Sequence, residues 1–332
     1  MFASASRADV ADMDPLVSVL ITAYNAEAWI AETLASVDAQ TYSNIEVIVV
    51  DDGSVDGTAD VVRSFGSSNV RLIVQENGGA CAARNRALSE SQGDLIQYLD
   101  ADDLLSADKI ALQVDRLGHE PDGTVASGPW VRFTGTPPPQ EERPDRTDWR
   151  DYAPAAEWLV SSWAIENGMF APFAWLTPRA LVDVAGPWNE QLQRNQDGEF
   201  FARVLSRAAK IAFCPNAWGF YRSGLVGSVS RRRGRSIMAS LFAATELCAA
   251  HVGGLGDSPD IRRAQAALWE RYLFEAYPVD RALARIAEQR ARALGGAGLQ
   301  PEGGRAFQIL RDAIGWKPAV RLQQVWYGLR YT

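Results

Sequence analysis

Short apolar runs and amphipathic stretches alternate along the first 125 residues. Val17–Thr22, Glu46–Val50, Val70–Val74 and Asp94–Leu99 are runs of five or six residues rich in Val, Ile and Leu. Between them Ala28–Asp38, Thr58–Phe65 and Cys81–Glu90 read as helices, the first with Ile30, Leu34 and Val37 at helical spacing. Ser106–Gly118 comes next with Ile110, Val114 and Leu117 on one face, and Val125–Ser127 reads as a shorter fifth strand. Strands that are apolar throughout, each succeeded by a helix of about ten residues, predict βαβ units and a parallel sheet buried on both faces.

The pattern then changes. Residues 134–150 are Pro-rich and charged and read as an exposed loop or insertion. Ala155–Trp163, Pro178–Val184 and Gln196–Arg207 are predicted helices, the last with Phe200, Phe201 and Val204 as its apolar side. Ile211–Phe213 and Gly219–Arg222 read as short strands. Beyond Arg231 the periodicity is helical, over Ile237–His251, Ile261–Phe274, Val279–Leu294 and Ala306–Ile314. The expected class is α/β, an open and mostly parallel sheet flanked by helices, with a helical C-terminal extension. Expected boundaries are a disordered N-terminus at 1–14, a βαβ half at 15–130, a second half of the same domain at 131–230, and the extension at 231–332.

Composition narrows the function classes. The 332 residues hold 33 basic and 41 acidic side chains, a net charge of −8, with 47% hydrophobic residues, the balance of a soluble globular chain. The charge is uneven: residues 1–125 carry 7 basic and 21 acidic side chains, so the N-terminal half is a poor surface for nucleic acid. A phosphate compound bound there needs a cation to bridge like charges. The longest apolar candidate, Ile237–Val252, is too short for a membrane span and carries Glu246. The polar, acidic start MFASASRADVADMDP does not read as a secretory signal. Cys81, Cys214 and Cys248 lie far apart, which argues against a disulfide framework or a CxxC knuckle. With only His119 and His251 present, a His-rich metal site is excluded, and any metal is expected to be held by oxygen.

Strand ends locate the chemistry. In an open parallel sheet every strand delivers its carboxyl end to one edge, where ligands bind. Those ends read Thr22-Ala23-Tyr24-Asn25, Asp51-Asp52-Gly53-Ser54, Gln75-Glu76-Asn77-Gly78-Gly79 and Asp100-Ala101-Asp102-Asp103. Five aspartates and an exposed tyrosine are therefore expected along one rim. Carboxylates without His or Cys select Mg²⁺, Mn²⁺ or Ca²⁺, and the first two complete their shells with substrate phosphates. GxGxxG and GxxxxGK[ST] are both absent, and Gly78-Gly79 reads as a tight turn. Taken singly, Asp-Asp-Gly-Ser is also ordinary turn chemistry.

VSVLITAYNAEAWIAETLASVDAQTYSNIEVIVVDDGSVDGT, NGGACAARNRAL and GDLIQYLDADDLL together resemble the nucleotide-binding half of family 2 inverting glycosyltransferases of GT-A fold. VDVAGPWNEQLQRNQDGEFFARVL and GFYRSGLVGSVS extend the resemblance over residues 15–230. It implies that Thr22, Ala23 and Tyr24 border the nucleobase, with Tyr24 stacked on it, and that Asp52 accepts from a base N–H. Arg84 would reach the nucleotide. Asp100-Ala101-Asp102 matches the DXD motif, with Asp100 facing the ribose, Asp102 binding Mn²⁺ or Mg²⁺, and Asp103 assisting. The catalytic base would be Asp197 of the ED motif, spelled Gln196-Asp197 here, with Glu199 as rival. Arg222 with Ser228 and Ser230 would form a late mobile loop over the diphosphate.

The same resemblance implies transfer of a sugar, with inversion, from a nucleotide-diphosphate donor (a UDP-sugar foremost) to the hydroxyl of a glycan or lipid-linked glycan. The expected setting is bacterial surface-polysaccharide synthesis, cytoplasmic, with a possible peripheral contact on the inner face of the membrane. Trp130, Trp149, Trp158, Trp163, Trp175, Trp188 and Trp218 either stack on sugars or fill core, and Trp130 is the one carried forward as a site candidate. Arg231–Arg233 with Arg235 either meet anionic lipid or form a solvated loop. Three alternatives remain. A nucleotidyltransferase also wants an acidic rim. A receiver-type domain expects a lysine at the fifth strand, whereas this chain has only Lys109, Lys210 and Lys317. A non-catalytic sugar-binding protein would keep the fold alone.

Overall fold

The computed structural model describes residues 14–138, 144, 146, 148–165, 171–225 and 234–330. The expected disordered terminus, Ser228, Ser230 and Arg231–Arg233 therefore lie outside the described residues, save Asp14. The elements are β1 Val17–Ala23, α1 Ile30–Asp38, β2 Ile45–Asp51, α2 Thr58–Phe65, β3 Val70–Val74, α3 Ala80–Glu90, β4 Leu95–Asp100, β5 Leu104–Leu105, α4 Lys109–Gly118, β6 Thr124–Ser127, β7 Trp130–Phe133 and α5 Ala156–Ile165. Then come β8 Trp175–Pro178, α6 Arg179–Ala185, α7 Gln196–Leu205, β9 Lys210–Phe213, β10 Gly219–Arg222, α8 Arg235–Gly253, α9 Pro259–Ala276, α10 Arg281–Ala293, α11 Arg305–Ile314 and α12 Trp316–Arg330.

Two compact units share the chain: Met1–Ala156 with Phe170–Glu190 and Arg203–Val226, and Glu157–Met169 with Gln191–Ala202 and Gly227–Thr332. The first unit holds a seven-stranded sheet in the order β3-β2-β1-β4-β8-β6-β9. β1, β2, β3 and β4 pair in parallel, whereas β8 runs antiparallel to both β4 and β6. The sheet is thus mostly parallel, as expected. β1, β2 and β4 are buried on both faces, which is why they read as unbroken apolar runs.

A second sheet of three strands, β5-β10-β7, was not legible in the sequence beyond β10. It packs Phe133, Trp218 and Phe220 into a small core with Leu104, Val131 and Trp149. The helix expected from Ser106 begins at Lys109, because the Ser106 hydroxyl accepts the Trp218 N–H instead of capping a helix.

The second unit is helical. Ser258 accepts from the Ile261 N–H with Pro259 at the first helical position of α9, and Asp280 accepts from the Ala282 and Leu283 N–H groups to start α10. α8 buries Met238, Leu241, Ala244, Thr245, Cys248 and Val252 along one side and packs on α9. The expectation of an apolar stretch too short for a membrane is corrected here: the helix runs 19 residues, from Arg235 to Gly253, and is long and apolar enough to cross one by length and composition. It is 39% buried over its apolar window, and the core helix of a soluble protein has the same properties. Glu246 within it pairs with Arg290 of α10 at 2.6 Å.

Candidate active site at the carboxyl edge of the sheet

Strand register brings the strand ends into line. Thr22 lies opposite Val50 and Asp100, and Ala23 opposite Asp51. The loops after β1, β2, β3 and β4 therefore meet at one edge, as the strand-end reading requires. They are stitched to one another by side chains. Asn25, at φ +51°, donates its N–H to the Ser54 hydroxyl at 2.9 Å and accepts the Val55 N–H at 2.9 Å. The Ala26 N–H donates to the Thr58 hydroxyl at 2.8 Å. This cross-linking presents Tyr24, which is 48% exposed, as a free aromatic face.

Asp52 has an unexpected partner. Its Oδ1 accepts from Gln75 Nε2 at 2.8 Å and the Gly78 N–H at 2.9 Å, and its Oδ2 accepts from the Gly79 N–H at 2.8 Å. Gly78-Gly79 is thus more than a turn: its amides open α3 as an anion-binding nest occupied by the protein's own carboxylate. Gly53 is required for this fit, since it has φ +76° and a Cβ there would lie 2.9 Å from the Asn77 nitrogen. Asp52→Ala is expected to leave the Gly78 and Gly79 amides and Gln75 without their acceptor. Because these donors are partly exposed to water, the expected loss is about 1–2 kcal/mol of unfolding free energy in a urea titration, with Asp52→Asn recovering part of it.

The Asp100–Asp103 turn is held from several sides. Arg84 is buried, donates to Asp100 Oδ1 at 2.8 Å and lies 4.3 Å above the Trp188 ring. Trp188 is itself buried edge-on against Tyr98, with its backbone N–H bonded to Asn85 of α3. Arg84 is thus not a surface arginine, and it fixes Asp100 at the strand end. The Thr33 hydroxyl donates to the Ala101 carbonyl at 2.8 Å.

Arg222, expected with Ser228 and Ser230 in a loop over the diphosphate, stands at the buried end of β10. Its N–H donates to Asp103 Oδ1 at 2.8 Å, its Nε to the Asp102 carbonyl at 2.8 Å and its Nη2 to Glu32 at 2.6 Å. The guanidinium lies 4.6 Å from the rings of both Trp29 and Phe133. Glu32, Trp29 and Trp188 carried no sequence signal for these roles, because each meets its arginine only through the fold.

The rim of five aspartates thus resolves into two kinds. Asp51 accepts the Ser54 N–H, Asp52 holds the glycine amides and Asp100 pairs with Arg84. Asp102 and Asp103 form the other kind, two adjacent carboxylates of which Asp103 accepts the Arg222 N–H. Burial, and then the negative charge of Asp100, push the Asp102 carboxyl up to about 6 against the opposing pull of Arg222. Burial and then Asp102 and Asp100 raise Asp103 well above the usual carboxylate range, and its Oδ2 is buried without a hydrogen-bond partner. Among the described residues no three His, Cys, Asp or Glu side chains form a metal cage. Two raised, oxygen-only carboxylates nevertheless fit Mn²⁺ or Mg²⁺, which take one or two protein ligands and fill the rest from phosphate and water.

No lysine stands at this edge. Lys109 is buried between Gln97 and Gln113, and burial lowers it to about 7; Lys210 pairs with Glu120 and Lys317 with Glu288. That removes the receiver-type alternative. Trp158, Trp163, Trp175, Trp188 and Trp218 fill core, whereas Trp130 is half-buried and meets Tyr221 edge-on at 6.3 Å.

In the second unit Asp197 is half-buried in the first turn of α7. Gln196 departs from the expected ED spelling for a visible reason: its Nε2 donates to the Leu192 carbonyl at 2.7 Å, and a carboxylate has no proton to give there. Glu199, the expected rival, is buried, with Oε1 3.4 Å from His251 Nε2 of α8.

Sheet and loops define an α/β domain whose strand ends gather at one carboxyl edge, the place where open α/β sheets take ligands. Residues 18–179 match the glycosyl transferase family 2 model. The chain is thus similar to family 2 glycosyltransferases over just under half of its length, and its fold is of the GT-A kind. A UDP-Glc:alpha-D-GlcNAc-diphosphoundecaprenol beta-1,3-glucosyltransferase of Escherichia coli, WfgD, is 41% identical over 105 residues, 31% of this chain and 42% of WfgD. The matched stretch thus spans less than half of that relative. Staphylococcus aureus TarS 1-349 in complex with UDP-GlcNAc superposes with a TM-score of 0.57 at 18% identity, over 84% of this chain and 88% of TarS 1-349. A mannosyltransferase from Pyrobaculum calidifontis in complex with GDP-Man and Mn²⁺ superposes at 0.51 and 19% identity, over 97% of this chain and 82% of that one.

Proposed function

We propose that this protein is an inverting glycosyltransferase that moves a sugar from a nucleotide-diphosphate donor, UDP-linked, to a hydroxyl of a glycan or lipid-linked glycan in bacterial surface-polysaccharide synthesis. The observation that carries the reading is the convergence, within the family-matched stretch, of Tyr24, Asp52 and Asp100–Asp103 at one sheet edge. The UDP-sugar named for WfgD and the UDP-GlcNAc bound to TarS favour a uridine donor. A cytoplasmic location with a peripheral membrane contact suits an acceptor of the WfgD kind, and α8 is apolar enough for such contact.

Each residue has a task. Tyr24 stacks on the base, beside Thr22 and Ala23. Asp52 offers the remaining lone pair of Oδ2 to a base N–H while it anchors the glycine loop. Asp100, held by Arg84, faces the ribose. Asp102, assisted by Asp103, would hold Mn²⁺ or Mg²⁺, which offsets negative charge on the diphosphate when bound. Arg222 holds the Asp103 carboxylate and the Asp102 backbone carbonyl in place. Asp197 accepts the proton of the acceptor hydroxyl. Attack on the anomeric carbon opposite the diphosphate inverts its configuration.

A panel of UDP, UDP-glucose, UDP-GlcNAc, GDP-mannose and ATP, with and without Mn²⁺, tests the donor class by thermal shift. Uridine diphosphates with Mn²⁺ are expected to stabilise the protein by about 2.7 kcal/mol at about a hundredfold excess over Kd. Stabilisation by ATP alone would favour the nucleotidyltransferase, and silence across the panel would remove the donor-binding reading.

A further inference from the structure

The segment that carries Asp197 is fastened to the helical extension by successive side chains. The Gln193 N–H donates to the Ser240 hydroxyl of α8 at 2.7 Å. Arg194, 16% exposed, pairs with Glu275 of α9 at 2.5 Å. Asn195 takes φ +56° and points its amide at Cys248 Sγ of α8 at 3.8 Å. Glu199, one turn into α7, meets His251 of α8. Gly198 makes the bend possible, since a Cβ there would lie 2.4 Å from Asn195 Oδ1. Asp197 sits between these fixed points, and residues 191–202 form one compact unit with α8 to α12.

We propose that Arg194 and Glu199, anchored by Glu275 and His251, are positioning residues, and that the helical extension serves to aim the base. The inference rests on Asp197 being that base. A contact that orients the base acts on the chemical step and not on the donor, because proton abstraction demands a heavy-atom approach of about 3 Å whereas donor binding uses other side chains. The Arg194–Glu275 pair is the sharper half to test, being partly exposed and outside the core of α8.

The experiment measures UDP release from UDP-GlcNAc and UDP-glucose into water in Mn²⁺, for Arg194→Ala, Glu275→Gln and the charge-reversed pair Arg194→Glu with Glu275→Arg. The single variants are expected to lower kcat on the order of tenfold or more, with KM and the affinity for UDP nearly unchanged. The reversed pair is expected to recover most of the rate. Wild-type kcat in both single variants would overturn the inference. So would a joint loss of kcat, UDP affinity and Tm, which marks general loosening. Asp197→Asn run alongside separates the two readings: if it is inactive while Arg194→Ala is fully active, only the positioning inference falls. If Asp197→Asn itself turns over, the base assignment falls and takes the inference with it.

Discussion

Asp197→Asn should abolish measurable sugar transfer, a loss on the order of 10²–10⁴-fold, while UDP binding in Mn²⁺ stays nearly intact. Asparagine keeps the volume of the side chain and can still accept a hydrogen bond in the first turn of α7, but its amide cannot take a proton from a hydroxyl. The negative charge lost from a helix N-terminus is worth only about 0.3–1 kcal/mol, so Tm is expected to move little. Isothermal titration with UDP and a turnover assay on one preparation give both numbers. Turnover at the wild-type rate would remove Asp197 from the chemistry. A parallel loss of UDP binding would mean that the substitution had disturbed the nucleotide edge.

The βαβ half was readable because its signals are local. Val17–Ala23 and Ile45–Asp51 are apolar along their whole length, and burial on both faces leaves no alternative to that pattern. The strand-end argument then turned position into proximity for Tyr24, Asp52 and Asp102. Two-residue β5 is too short for any period to register, and four-residue β7 and β8 went unread although β9 and β10 of the same length were seen, so the second sheet and the antiparallel insertion stayed hidden. The partners of the arginines were hidden for another reason. Arg222 meets Glu32 across 190 positions, and Arg84 meets Trp188 across the unit. Spacing shows that an arginine is present, whereas only the fold shows whether it faces a ligand or holds a carboxylate. Gln196 was visible as a departure from the motif, but the carbonyl that explains it was not.

At the Asp100–Asp103 turn, stability and function should move in opposite directions when Asp102 is changed. The folded protein raises this carboxyl from 3.8 to about 6, chiefly by burial and then by the charge of Asp100. A carboxyl raised by folding holds its proton more tightly in the folded state. In EDTA the protein should therefore gain stability as the pH falls from 7 through 6 towards 4, and carry the full cost of a buried charge above 6. That cost is about 3 kcal/mol at most, from about 1.36 kcal/mol per pKa unit. Asp102→Asn removes the charge, so in EDTA at pH 7 the variant is expected to unfold at higher urea than the wild type, and its stability should vary less between pH 4 and 7. Asp103 shifts in the same direction and keeps part of that slope in the variant. Donor binding should behave in reverse. Wild-type affinity for UDP in Mn²⁺ is expected to weaken as the pH drops below about 6, where a proton occupies the carboxyl, and Asp102→Asn should lose the Mn²⁺ dependence at every pH. Urea titrations in EDTA and UDP titrations in Mn²⁺, each at pH 5 and 7, check both halves. A variant that is less stable at pH 7, or one that keeps full Mn²⁺-dependent binding, would show that Asp102 is an ordinary strand-end aspartate.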